Sequence, residues 1–502
     1  VTAPGSVPGV DDIIAANAAD DVFLSDKGNA ARFAELLGDV VRYCPELDTW
    51  YVWVGTHWEP DPHRVRVFAL TAEVIRALRA HALALPDEVA GGGPGAVSPR
   101  ERVLRWATAT ESEKARRRIL TTAPEHPRLL VNPDQLDGGA DELATPAGVV
   151  DLLSGAVRDG RPEDLVTRIT SVGYDEDARS PLLDRYLDTF VPEPDDQEVL
   201  FAVLGTALRG GNPGRLLPIL LGATTSGKSQ LVAALARLLG RYVCTINASV
   251  FRGNLDDKPR PDLVRAMDHR VAYAVEASKV WELHADQIKR ITGGDAVPYR
   301  NLYSQSEERV PRFTPLIVTN EMPRIKGADD ALRRRLVVVT FSRTLPPELE
   351  DTRVKEAFVR DEGCLRALLA RIVRGAGSPL LRDGVKWSLM PERYAQATAS
   401  SFDELDHVGE FLEWLRDRGI LEVVDMTETP ASKCAQASEL HEWYGAWVRK
   451  HGDRQDRQEA LSMKDLGRAL RQRGWESRLS GGTRWLGVRL ATPVGPWAGM
   501  GL

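Results

Sequence analysis

Residues 222–229 read Gly222-Ala223-Thr224-Thr225-Ser226-Gly227-Lys228-Ser229, a complete G-x-x-x-x-G-K-[ST]. The chemistry this spacing supports is phosphate binding. Gly222 and Gly227 let backbone N–H groups curl inward around an anion, and a following helix adds its positive end. Lys228 would reach the β- and γ-phosphates and Ser229 the Mg²⁺, so ATP and Mg²⁺ are the expected cofactors. Roughly fifty residues past Lys228, the apolar run 270–276 (RVAYAVE) ends in Glu276, where an NTPase places the acid that polarises the attacking water and completes the Mg²⁺ shell. Val275 precedes it and Ala277 follows, so one carboxylate serves both tasks or a later acid such as Glu282 assists. The run 316–320 (LIVTN) closes on Asn320, whose amide suits the orientation of water against a γ-phosphate. Three arginines, Arg333, Arg334 and Arg335, precede the apolar run 336–341. They are solvated surface or an arginine finger thrust into a neighbouring copy's ATP site; Asn320 favours the finger, carried by Arg334 or Arg335.

These groups need a parallel sheet to hold them. Residues 216–221 (LLPILL) fit a buried strand, and Leu231, Ala234, Leu235, Leu238 and Leu239 recur at helical spacing after the glycine loop. Strand, loop and helix in that order make the pattern a P-loop and the fold class α/β. Beyond Glu276, residues 286–292 (DQIKRIT) form a short helix carrying Lys289 and Arg290, followed by Gly293-Gly294-Asp295. Residues 296–303 and 309–319 then read as two strands around the polar tip 304–308 (SQSEE).

The bulk numbers set the frame. At 502 residues the chain is too long for one core. It is 43% hydrophobic and 27% charged, with net charge −7, so any DNA contact is confined to local basic surfaces. Cys44, Cys244, Cys364 and Cys434 are far apart, which argues against a disulfide framework or zinc site. No apolar run reaches membrane-spanning length and the start lacks a signal pattern, so the expected location is the cytoplasm, with no membrane partner.

Along the chain, residues 1–24 read as a loose tail and 25–190 as an α/β region. In it, Trp50, Trp53 and Trp58 lie on a hairpin turning at Gly55-Thr56, as either a base-stacking platform or a small aromatic core. Residues 86–95 are a glycine-rich linker. Asp175 and Asp177 read as loop acids, and residues 1–190 offer no strand-borne carboxylate pair for two-metal primer synthesis. Asp195 should cap a helix reaching Arg209, and 191–345 form the motor core. Residues 346–430 are a helical lid and linker. Residues 431–490 hold twelve Lys and Arg against seven Asp and Glu. Helices over 437–450 and 462–473 and a hairpin over 475–490 give a winged-helix outline. Lys464, Arg468, Arg471 and Arg473 would face DNA, with Arg478 or Arg484 on the wing. A protein-docking winged helix is the alternative. Residues 491–502 are tail.

The order of parts resembles the phage and plasmid (poxvirus-type) primase–helicase proteins, whose motor is a superfamily 3 helicase of AAA+ descent. The residues that carry the likeness are 222–229, Glu276, the run 289–295 (KRITGGD) with Arg300 and Tyr303, Asn320 with Pro323, and Arg334-Arg335-Leu336 with Phe341. The GGD segment discriminates, since a generic P-loop ATPase has no use for it. The resemblance implies an ATP-dependent DNA helicase, a homo-oligomeric ring and usually a hexamer, unwinding 3′→5′ in replication of a phage, plasmid or integrated element within a bacterial host. It also implies a DNA-touching hairpin before the sensor strand. Here that hairpin's tip is acidic, which shifts the expected contacts to Lys289, Arg300, Arg309 or Arg312. A separate primase or polymerase would supply primer chemistry. Alternatives are an AAA+ ATPase that remodels or marks an origin, and a DNA-binding initiator whose P-loop is an assembly switch.

Overall fold

The computed structural model describes residues 24–88, 97–252, 260–276, 282–300, 306–326, 330–345, 352–394, 407–425, 429–451, 461–472, 475–479 and 482–491. The chain forms two compact units, Val1–Pro391 and Glu392–Leu502. Among the described residues no helix is long and apolar enough to cross a membrane.

The first unit opens with the helix Asp26–Leu37, capped by Ser25, whose hydroxyl accepts the Gly28 N–H at 3.0 Å. Its apolar face packs with the helices Ala72–Ala84, Pro99–Thr110 and Glu113–Thr122 around Phe33, Leu78, Val103 and Ile119. Strands β1 (Val41–Cys44), β2 (Thr49–Trp53) and β3 (Trp58–Asp61) form an antiparallel meander, with Gly55 at φ 93° in the β2–β3 turn. Trp50 and Trp58 are 1% and 0% exposed, and the Trp58 indole donates to the Pro162 carbonyl at 2.8 Å. Of the two readings of these tryptophans, the structure shows the aromatic core. A second meander, β4 (Glu142–Thr145), β5 (Gly148–Asp151) and β6 (Val157–Arg158), leads toward the central sheet.

That sheet is built from β7 (Leu217–Gly222), β8 (Val243–Thr245) and β9 (Val271–Glu276), with two later strands. Between lie β10 (Glu282–His284), β11 (Val297–Arg300) and β12 (Ser306–Arg309); then come β13 (Thr314–Thr319), β14 (Arg324–Lys326) and β15 (Leu336–Phe341). The order across the sheet is β15-β7-β13-β9-β8, every pair parallel. Parallel strands covered on both faces read as continuous apolar runs, as in β13, where all six residues are buried. The helices Pro194–Leu208 and Glu362–Ala376 pack closely because Gly205 and Gly375 leave room: a Cβ on Gly375 would fall 2.0 Å from the Phe201 carbonyl oxygen.

Three local expectations are corrected. The run 309–319 is not one strand: Pro311 has no N–H to give a ladder, the Arg312 N–H turns to the Met267 carbonyl at 3.0 Å, and β12 ends before β13 begins. Glu307 and Glu308 therefore lie in the β11–β12 ladder, opposite Tyr299 and Pro298, rather than at the hairpin's tip. The turn itself, 301–305, lies outside the described residues. The helix expected to be capped by Asp195 begins at Pro194 with Glu193 at the N-cap, which leaves Asp195 in the first turn, where the helix dipole favours an acid.

In the second unit the helices His407–Asp417, Ala437–His451 and Met463–Gln472 bury Phe411, Leu440, Trp447 and Leu470. Strands β16 (Leu421–Val423), β17 (Ala435–Gln436), β18 (Ser477–Leu479), β19 (Thr483–Trp485) and β20 (Val488–Leu490) complete it. β18 and β19 form the expected antiparallel pair, but its second limb stops at Trp485. Gly487, at φ 75°, redirects the chain so that β20 pairs with β16 instead.

Candidate active site

The glycine loop leaves the carboxyl end of β7 and enters the helix Lys228–Leu239. Gly227 caps that helix at φ 85°, in the left-handed region open to glycine, and a Cβ there would meet the Phe190 ring at 2.7 Å. Thr225 also takes a positive φ of 64°. Lys228 is buried, its ammonium folded back on the loop. It donates to the Gly222 carbonyl, to the Ala223 carbonyl at 2.9 Å and to the Ser226 hydroxyl at 2.9 Å. These partners are neutral oxygens, and burial pulls the Lys228 pKa below the usual lysine value. A desolvated cation held by neutral dipoles at a helix N-terminus fits an arriving anion such as a polyphosphate.

The neighbouring strands bring the other expected groups to the same rim. The Thr319 Cα lies opposite Leu221 of β7 on one side and Glu276 of β9 on the other. With strands about 4.8 Å apart, the Glu276 backbone stands about 10 Å across the sheet from Leu221. Asn320 follows Thr319 and is exposed. On the far side Phe341 lies opposite Gly222. Glu276 is placed by its backbone alone, its side chain falling outside the described residues. Among the described residues no group of three or more His, Cys, Asp or Glu is arranged to hold a metal.

A cavity of about 860 Å³ opens at this rim. Thr224 to Ser229, Asn320 and Val275 are among its lining residues. The helices Pro181–Phe190 and Thr352–Arg360 supply Leu182, Tyr186, Phe190, Val354 and Phe358. Tyr186 is buried; its hydroxyl donates to the Gly227 carbonyl at 3.0 Å and its ring stacks on Phe358 at 4.4 Å. Sequence reasoning missed this wall, having derived no role for residues 1–190. The available signal was the spacing of Leu183, Tyr186, Leu187 and Phe190 along one helix face, which by itself says only that the face is buried.

Arg334 and Arg335 stand elsewhere. The Arg335 carbonyl accepts the Leu217 N–H at 2.7 Å, and Leu336 pairs with Leu217 at the amino end of β7. Five strand steps separate Leu217 from Gly222, so these arginines sit about 16 Å from the loop rim. Arg334 is exposed.

The candidate DNA contacts are dispersed. Lys289 pairs with Asp286 at 3.2 Å on its own helix. Arg309 pairs with Asp134 at 3.2 Å and Asp268 at 3.0 Å, and Arg312 donates to the Leu136 and Asp134 carbonyls at 3.3 and 3.1 Å. Both are turned onto the N-terminal region. Arg300 is placed in β11 and Arg468 in the helix Met463–Gln472 by backbone alone, and Arg473 lies outside the described residues. Lys464 and Arg471 are exposed, Arg471 lying over the Trp485 ring at 5.7 Å. Arg478 is exposed, while Arg484 donates to the Cys434 carbonyl at 3.0 Å.

Residues 30–192 match the family model described as D5 N terminal like. This match, with the viral relatives below, supports a phage or viral primase–helicase family. The matched segment thus extends through the helix Pro181–Phe190 that walls the cavity. A protein of Acanthamoeba polyphaga mimivirus named as a putative helicase is 29% identical over 200 residues, covering 39% of this chain and 21% of that protein. "Putative helicase 121R" of Invertebrate iridescent virus 3 is 26% identical over 246 residues, covering 45% and 26%. The chain thus spans well under two thirds of these relatives' length. Among solved structures, the A form apo C-terminal region of NrS-1 is similar with a TM-score of 0.45 at 12% identity, over 92% of this chain and 100% of that one.

Proposed function

We propose that the chain is an ATP-dependent DNA helicase of the primase–helicase family, whose motor is a superfamily 3, AAA+-type P-loop ATPase. The observation that carries this reading is the convergence of the 222–229 loop, Glu276 and Asn320 on one rim of a parallel sheet ordered β15-β7-β13-β9-β8. Loop N–H groups and Lys228 would grip the β- and γ-phosphates, and the nucleoside would lie between Leu182 and Val354. Ser229 and Glu276 are the residues to hold Mg²⁺, which supplies charge neutralisation on the phosphates. Glu276 takes the proton of the attacking water, and the Asn320 amide aligns it. The separation of Arg334 and Arg335 from the chain's own loop supports their action on a second copy's site, in a ring that is hexameric on this reading. The second unit, with Lys464 and Arg471 exposed on one helix beside a β-ribbon, is read as a winged helix that contacts DNA. Unwinding with 3′→5′ polarity and a separate primase or polymerase partner follow from the superfamily reading.

Phosphate release with and without DNA, alongside strand displacement on forks with either a 3′ or a 5′ tail, tests this. DNA-stimulated hydrolysis and opening of the 3′-tailed fork are expected. Hydrolysis with no displacement on any fork would instead assign remodelling or origin marking.

A further inference from the structure

Tyr186 belongs to the N-terminal module, and nothing in its sequence context ties it to the nucleotide loop 41 residues on, yet its hydroxyl reaches the Gly227 carbonyl. That carbonyl also accepts the Leu231 N–H at 3.0 Å, the first bond of the helix after the loop. Both of its lone pairs are thus engaged, one by the helix and one by the module. Phe190, one turn further along, presses its ring over Gly227. On its other side Tyr186 stacks on Phe358, at 28° between ring planes, in the helix Thr352–Arg360 that also lines the cavity. The module helix is itself tied back by Asp184, which pairs with Arg371 at 2.8 Å.

We propose that Tyr186 is a positioning residue of the nucleotide site: it fixes Gly227, and with it the phosphate-gripping loop, to the helix Thr352–Arg360 that lines the same cavity. This rests on the reading of the 222–229 loop as a nucleotide site. The consequence is that the N-terminal module is an integral part of the motor's binding pocket, acting through the loop and not on the phosphates directly. Burial raises the Tyr186 pKa well above the usual tyrosine value, so the hydroxyl remains a donor throughout the working pH range.

Tyr186→Phe separates this role from packing. It keeps the ring stack, removes the buried hydroxyl together with its bond, and leaves the Gly227 carbonyl its Leu231 partner, so no buried group is orphaned. In the full chain, binding of a non-hydrolysable ATP analogue with Mg²⁺ should weaken at least about fivefold and KM for ATP rise in step. The melting temperature without nucleotide should stay near wild type while the nucleotide-induced rise in Tm shrinks. Phe358→Leu, which keeps the hydroxyl but removes the stack, should weaken nucleotide binding in the same direction, and the two effects should be non-additive in the double variant. Wild-type affinity and KM in Tyr186→Phe, or strict additivity, overturns the inference while leaving the site reading intact. Absence of nucleotide binding in the wild type overturns the site reading and the inference with it.

Discussion

Arg309 and Asp134, 175 residues apart in sequence, form an ion pair at 3.2 Å that joins the base of the β11–β12 hairpin to the N-terminal module. Asp268 accepts the same guanidinium at 3.0 Å, and Arg312 bonds two carbonyls of the same N-terminal stretch. Two arginines that the family resemblance would place on DNA therefore hold protein to protein.

This assignment is testable through salt dependence. Removing a cation that neutralises a DNA phosphate should lower the slope of log affinity against log salt by about one. Lys464→Ala and Arg471→Ala are expected to do this, whereas Arg309→Ala and Arg312→Ala should leave the slope at its wild-type value. A reduced slope in the second pair would return those arginines to the DNA-binding surface.

For catalysis, Lys228→Ala and Glu276→Gln should each lower DNA-stimulated phosphate release by about 100-fold or more. Lys228 gives up only bonds to neutral oxygens of its own loop, so Lys228→Ala should melt near the wild type. Release near wild-type rates in either variant would contradict the assignment of the rim.

Arg334 and Arg335, at the other end of β7, make a prediction about mixtures. Lys228→Ala and Arg334→Ala/Arg335→Ala should each be inactive alone. A site formed by a wild-type loop from one variant and wild-type arginines from the other is whole, so equal mixing with subunit exchange should restore about a quarter of the activity. No recovery despite demonstrated exchange would place the arginines outside the hydrolytic site.

Stability should depend on pH through His269. Burial, with Arg168 nearby, pushes its pKa down to about 4, and its ring lies 2.7 Å from the Arg265 carbonyl. The unfolded chain, titrating near 6.5, binds the proton more readily, so this contribution is present above pH 6.5 and is lost as pH falls toward 4. His269→Gln should flatten that part of the Tm–pH curve; an unchanged slope would show that other groups carry it.

Helix packing gives a prediction independent of function. Gly375→Ala forces a methyl onto the Phe201 carbonyl, and the resulting strain should cost about 2 kcal/mol or more, visible as a lowered Tm. An unchanged Tm would mean the helix pair can part without penalty.

The sequence is most legible where chemistry and secondary structure are set within a few residues. The loop 222–229, the strand ending at Glu276 and the strand ending at Asn320 each announce themselves by a buried run closed by a polar group. Their meeting on one rim follows from parallel strands, since like ends of parallel strands come together. What stays hidden depends on interactions between distant segments. Tyr186 reads only as one more apolar-face residue until its hydroxyl is seen at Gly227. Arg309 and Arg312 read as free cations until Asp134 is seen beside them. The break at 310–313 is legible in Pro311 but masked by the apolar residues around it.

The strands of the central sheet run from one functional edge to the other: β7 joins Leu217, whose N–H holds the Arg335 carbonyl, to Gly222 at the mouth of the cavity. A close-packed parallel ladder is stiff along its length. If the cavity holds a nucleotide as proposed, a displacement imposed there would reach the arginines as a push and not as a bend. In an assembly of copies, each sheet would serve as a strut, handing the timing of one hydrolysis event to the next subunit without any segment having to unfold.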